Sequence, residues 1–177
     1  MDLNDHEQFL QIDTENMLRH IDELPAQLEE AYQLGMALDL PMMQPITRIV
    51  SAGMGGSAIG ADLLAAYLSD RLSVPFIVHR DYNLPAFAAG KDTLVIVSSH
   101  SGNTEEALSG FTNAIERGCQ TIVISTGGKI VEAALNVDVP VWRFNHIGQP
   151  RAAVGLSFGL LLALFIVAFV NLSLPGT

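Results

Sequence analysis

Cysteine occurs once in this 177-residue sequence, at Cys119, so no disulfide can form within the chain. Basic side chains are few, nine Lys and Arg against nineteen Asp and Glu, and no Lys/Arg cluster with interleaved aromatics is present to displace phosphate counterions. Nucleic-acid binding is therefore not expected. Aromatic residues make up only 7% and there is no low-complexity stretch. The first residues lack the basic-then-apolar pattern of a secretory signal, and with a single thiol a reducing, cytoplasmic setting is expected. His6, His20, His79 and His146 show no metal-ligand spacing with one another or with Cys119, so no metal site is expected.

What the chain does have is apolar mass, 49% of its residues, enough for one sizeable core. The net charge of −10 is local: residues 1–40 hold ten acidic side chains and one arginine. This acidic segment reads as two amphipathic helices with solvated faces. The first follows a cap at Asp13 or Thr14 and places Met17, Leu18, Ile21 and Leu24 at helical spacing. Pro25 opens the second, which runs to about Leu38.

Beyond residue 41 the pattern alternates. "TRIVSAG", "VPFIVHR", "DTLVIVSS", "QTIVIST" and "VDVPVWRF" read as strands; the helical pattern "SAIGADLLAAYLSD" lies between the first and second, Asn103 to Arg117 between the third and fourth, and "GKIVEAAL" between the fourth and fifth. Strands that are apolar without alternation are covered on both faces. The fold expected is α/β, a three-layer αβα arrangement around a five-stranded parallel sheet. Ligands in such sheets sit beyond the carboxyl ends of the strands, where strand order reverses.

Two of those ends are unusual. "SAGMGGSAIG", Ser51 to Gly60, carries Gly53, Gly55 and Gly56 just before a helix, and "VSSHSGNTEEAL", Val97 to Leu108, offers the hydroxyls of Ser98, Ser99, Ser101 and Thr104 just before another. Helix N-termini bring unpaired N–H donors and partial positive charge, which suits a phosphate without a lysine; neither loop has the lysine of a nucleotide-binding P-loop. Thr104 or Asn103 could instead serve only as a helix cap, with Glu105 and Glu106 complementing the dipole. Gly53, Gly55 and Ala58 also fit a variant dinucleotide fingerprint, with Asp81 about twenty residues on. A Rossmann-type dinucleotide domain is the third alternative.

"GMGGSAIGADLL", "SSHSGNTEEAL" and "QPRAAVGLSFG", in that order, resemble the first half of the bifunctional phosphoglucose/phosphomannose isomerases of the sugar isomerase (SIS) superfamily. The resemblance implies a flavodoxin-like SIS domain over residues 41–177, with residues 1–40 as a helical segment packed on it. It implies that Gly55, Gly56, Ser57, Ser99, Ser101 and Thr104 hold the phosphate of glucose 6-phosphate, mannose 6-phosphate or fructose 6-phosphate, and that Arg151 is an active-site arginine. His100, where many relatives carry tyrosine, is a possible acid/base. The implied chemistry is aldose–ketose isomerisation through an enediol, without a redox cofactor. Its glutamate base and histidine belong to a second SIS domain in the family, so this chain alone is expected to bind without turnover. A phosphosugar-sensing regulatory module is the second alternative.

From Ala152 to Thr177 no side chain is charged, and Gly155 and Gly159 form G-x-x-x-G, a composition that suits a membrane anchor. The resemblance implies instead a helix buried between domains and subunits, and hence a homodimer made through it.

Overall fold

The computed structural model describes residues 6–41 and 44–170. Three helices come first: α1 (His6–Ile12), α2 (Met17–Asp22) and α3 (Leu24–Ala37). The sequence reading placed only two here. The N-cap position of α2 is Asn16 rather than Asp13 or Thr14, but the Asp13 carboxylate accepts the Met17 and Leu18 amides at 2.7 Å each, a pairing that lowers its pKa. Pro25 sits in the first turn of α3, where its missing N–H costs nothing.

The sheet follows as β1 (Arg48–Gly53), β2 (Phe76–His79), β3 (Thr93–Ser99), β4 (Gln120–Ser125) and β5 (Val141–Arg143). All pairings are parallel and the order is β2-β1-β3-β4-β5. The expected five-stranded parallel sheet is present, though β5 is shorter than "VDVPVWRF" suggested. Asp138 takes a positive φ of 54°, which no strand residue adopts, so the extended segment begins only at Val141.

The crossover helices are α4 (Gly55–Tyr67), α5 (Glu105–Glu116) and α6 (Lys129–Leu135); a 3₁₀ turn (Pro150–Ala153) then leads into α7 (Val154–Phe165), and a π-helical turn continues from Ile166 to Val170. Alternate strand residues divide between two cores. Ile49, Leu94, Ile96, Ile122, Ile124 and Trp142 meet the helices α3, α4 and α7, while Val50, Val95, Val97 and Val123 meet α5 and α6. The bulkier branched residues face the three-helix side and valines the two-helix side, giving three αβα layers.

Helix α7 shows why composition alone misleads. The segment Pro150–Ala168 is long and apolar enough to cross a membrane, with a mean hydropathy of 2.1, but 67% of its most apolar window is buried inside the protein. Its G-x-x-x-G pair admits α3: a Cβ on Gly155 would stand 2.8 Å from Gln27 Cβ, and one on Gly159 2.7 Å from the Leu28 carbonyl oxygen. The described part of this helix packs against α3 and α4. The remainder of the uncharged stretch, residues 171–177, lies outside the described residues.

Candidate functional site

Strand order reverses between β1 and β3, which run side by side with Gly53 opposite Ser98. The two loops singled out in the sequence therefore leave the sheet next to each other, at its carboxyl edge. After β1, Met54 stays extended and Gly55 takes φ +49° before α4 begins. Gly53 must be glycine for the strands to approach this closely: its Cβ would lie 2.7 Å from the Ser98 carbonyl oxygen.

The loops touch. The amide N–H of His100 donates to Ser57 Oγ at 2.9 Å. Within the second loop Ser99 Oγ accepts the Gly102 amide at 3.1 Å and shares a hydroxyl–hydroxyl bond of 3.1 Å with Thr104, while Ser101 Oγ accepts the Asn103 amide at 3.2 Å. Ser57 and Ser101 are thus used only as acceptors toward the protein, which leaves their O–H protons to be offered outward, and the Ser99–Thr104 pair has one further proton to offer. Together with the first-turn N–H groups of α4 and α5, this makes a donor-rich rim with no fixed acid–base partner.

Two expectations about capping change. Thr104 holds the N-cap position of α5, but its hydroxyl makes no cap bond and turns to Ser99 instead. Asn103 caps a different helix: its Oδ1 accepts the Lys129 amide of α6 at 3.1 Å. Gly102 lets that neighbour in, since a Cβ there would overlap the Gly127 carbonyl oxygen, and its φ is +68°. Glu105 is exposed and its Oε2 accepts the Tyr82 hydroxyl at 3.0 Å, a contact that raises the tyrosine pKa. Asp81 is exposed and accepts the Tyr82 amide at 2.7 Å.

Arg151 reaches the same edge through its backbone. A Cβ on Gly56 would stand 2.6 Å from the Arg151 nitrogen and 2.7 Å from the Pro150 carbonyl carbon, so the 3₁₀ turn lies directly on the first loop. Gln27, buried in α3, holds this turn from behind by donating from Nε2 to the Ala152 carbonyl at 2.9 Å. The other arginines among the described residues each bond or pair with a carboxylate or carbonyl, whereas the guanidinium of the exposed Arg151 has no partner among the described residues. With its backbone against the start of α4, Arg151 brings a second kind of anion donor to the first loop.

Sequence reasoning missed the partners of His100. Its Nε2 lies 2.9 Å from His146 Nδ1, and the His146 ring stands 5.5 Å from that of His20 in α2. The only signal was that His146 shares a short segment with Arg151. Burial lowers the pKa of both His100 and His146, and for His146 the neighbouring His100 and His20 add to the effect. No group of three or more His, Cys, Asp or Glu with metal-binding geometry occurs among the described residues. Two larger openings lie away from the loops: an apolar groove of about 330 Å³ between α3, α4 and α7, and one of about 490 Å³ beside Arg48 and Phe87.

No protein-family model matches the chain. Among curated proteins, it is 44% identical over 151 residues, 85% of its length, to the bifunctional phosphoglucose/phosphomannose isomerase of Caldicellulosiruptor bescii. It is 34% identical over 114 residues, 64% of its length, to a D-glucosamine-6-phosphate 4-epimerase of Sulfolobus acidocaldarius. The chain spans 44% and 35% of these two relatives. Among solved structures, the NanR protein of Vibrio vulnificus complexed with ManNAc-6P superposes with a TM-score of 0.65 at 17% identity, covering 94% of this chain and 66% of that one. The fold is shared with that protein.

Proposed function

We propose that this chain, a homologue of the bifunctional phosphoglucose/phosphomannose isomerases spanning less than half of their length, supplies the phosphosugar-binding part of an aldose–ketose isomerase. The observation that carries the reading is the 2.9 Å bond from the His100 amide to Ser57 Oγ, which joins the two hydroxyl- and amide-rich loops at the switch point of the sheet. Gly55, Gly56, Ser57, Ser99, Ser101 and Thr104 then surround the phosphate of a hexose 6-phosphate. Arg151 lies against the first loop at Gly56 and extends its charge toward the sugar.

Isomerisation moves a proton between C1 and C2 and needs a carboxylate within hydrogen-bond reach of the carbon acid. Glu105, exposed and bonded to Tyr82, does not suit that role. The base comes from the remainder of the longer isomerase, and this chain binds without turning over. A homodimer and a cytoplasmic location belong to the same proposal, and light scattering that gave a clean monomer at micromolar concentration would contradict the first.

Titration calorimetry with fructose 6-phosphate and, separately, NAD(P), followed by a coupled isomerase assay, tests the reading. Binding of the hexose phosphate alone, without turnover, is the expected result. Turnover by this chain would refute the assignment of the base to another segment, and binding of NAD(P) instead would favour the dinucleotide alternative.

A further inference from the structure

The second loop contributes hydroxyls on either side of His100, but the imidazole itself leans elsewhere. Its ring stands 5.9 Å from Phe144, edge-on, and 5.1 Å from His146, both on the segment that runs from β5 to Arg151. His100 therefore borders the Arg151 side of the site, where the sugar rather than its phosphate would lie. Its Nε2 is engaged with His146 Nδ1 at 2.9 Å, whereas its Nδ1 bonds no described residue.

One proton lies between the two rings, and the far side of His146 decides who owns it. His146 Nε2 is buried and has no hydrogen-bond partner among the described residues. The Nε2 atoms of His20 and His146 both lie within 4 Å of the point where a Gly148 Cβ would stand, so this atom faces a ring edge and a glycine. A neutral imidazole carries one N–H and one bare nitrogen. If His146 carried its proton on Nε2, a buried N–H would go unpaired, the rarer and costlier kind of orphan; with the proton on Nδ1 it donates to His100 and only a lone pair is left unused. His100 Nε2 is then an acceptor, and the proton of the neutral ring must sit on Nδ1, the nitrogen without a bond to a described residue.

We propose that His146 is a positioning residue that fixes the tautomer of His100, so that His100 Nδ1–H is the hydrogen-bond donor offered to a sugar hydroxyl of the hexose phosphate. The inference rests on the phosphosugar reading for the identity of the ligand, but the arrangement of the two histidines stands independently. His20, with Glu23 Oε2 3.9 Å from its Nδ1, is the other titratable group facing His146, and His100 faces it from the loop. A neutral pair is favoured by burial on both rings.

Two measurements on the full chain test this. In a long-range ¹H–¹⁵N correlation spectrum of histidine-labelled protein at pH 7.5, His100 and His146 are both protonated at Nδ1; His100 protonated at Nε2 overturns the proposal. In calorimetry, His146→Phe weakens fructose 6-phosphate binding about ten-fold, the size of one neutral hydrogen bond. His146→Asn, whose amide N–H can stand where Nδ1–H stood, stays within about two-fold. Equal losses in both variants, or no loss in His146→Phe, contradict the positioning role. A wild-type chain that binds no hexose phosphate but shows the Nδ1 tautomers sinks the phosphosugar reading and upholds the histidine arrangement.

Discussion

At the residue scale the site is built from hydroxyls that receive backbone N–H bonds and keep their own protons. Thr104→Val keeps the shape of the side chain but removes the partner of Ser99, which is 1% exposed, and one donor of the proposed phosphate cradle. The expected result is about 1 kcal/mol of lost stability by denaturant unfolding and about ten-fold weaker binding of fructose 6-phosphate by calorimetry. The histidines supply a pH dependence. Folding lowers the pKa of His100 and His146 from the ordinary 6.5, so on acidification the unfolded chain takes up protons first. The stability they allow is whole above about pH 6.5 and is lost as pH falls through their lowered folded values. Thermal unfolding scans should show Tm falling between pH 7.5 and 5.5, and falling less when both are replaced by phenylalanine. Asp13 and Asp92, lowered from 3.8, titrate below that window.

At the scale of elements, close approach is what the glycines supply. Gly56→Ala would push a methyl to within 2.6 Å of the Arg151 backbone, displacing the 3₁₀ turn from the first loop. About 1–3 kcal/mol of destabilisation is expected, with binding reduced further than the stability loss explains. Gly159→Leu, pressed against the Leu28 carbonyl and Ala31, should separate α3 from α7 and cost about 3 kcal/mol or more, seen as early melting by circular dichroism.

The sheet, its crossovers and the neighbouring loops were legible in the sequence because unalternated strands and Gly- or Ser-rich turns are local signals. What was not legible came from contacts distant in sequence: Asn103 capping α6, Gln27 reaching Ala152, and His146 meeting His100 are each set by packing, and no spacing announces them. Composition alone would mislead at the uncharged end for the same reason. Hydropathy does not tell lipid from a neighbouring helix, and here α3 and α4 take the place that lipid would have had.

For the whole molecule, the central proposal is that two loops act as one phosphate cradle at the carboxyl edge of the sheet. The most direct test is a ¹H–¹⁵N chemical-shift titration with fructose 6-phosphate, following the amides of Gly55 to Ala58 and of Ser99 to Glu105. The account predicts that both sets move together and saturate at one ligand concentration. Movement of one loop alone, or of neither, would contradict it.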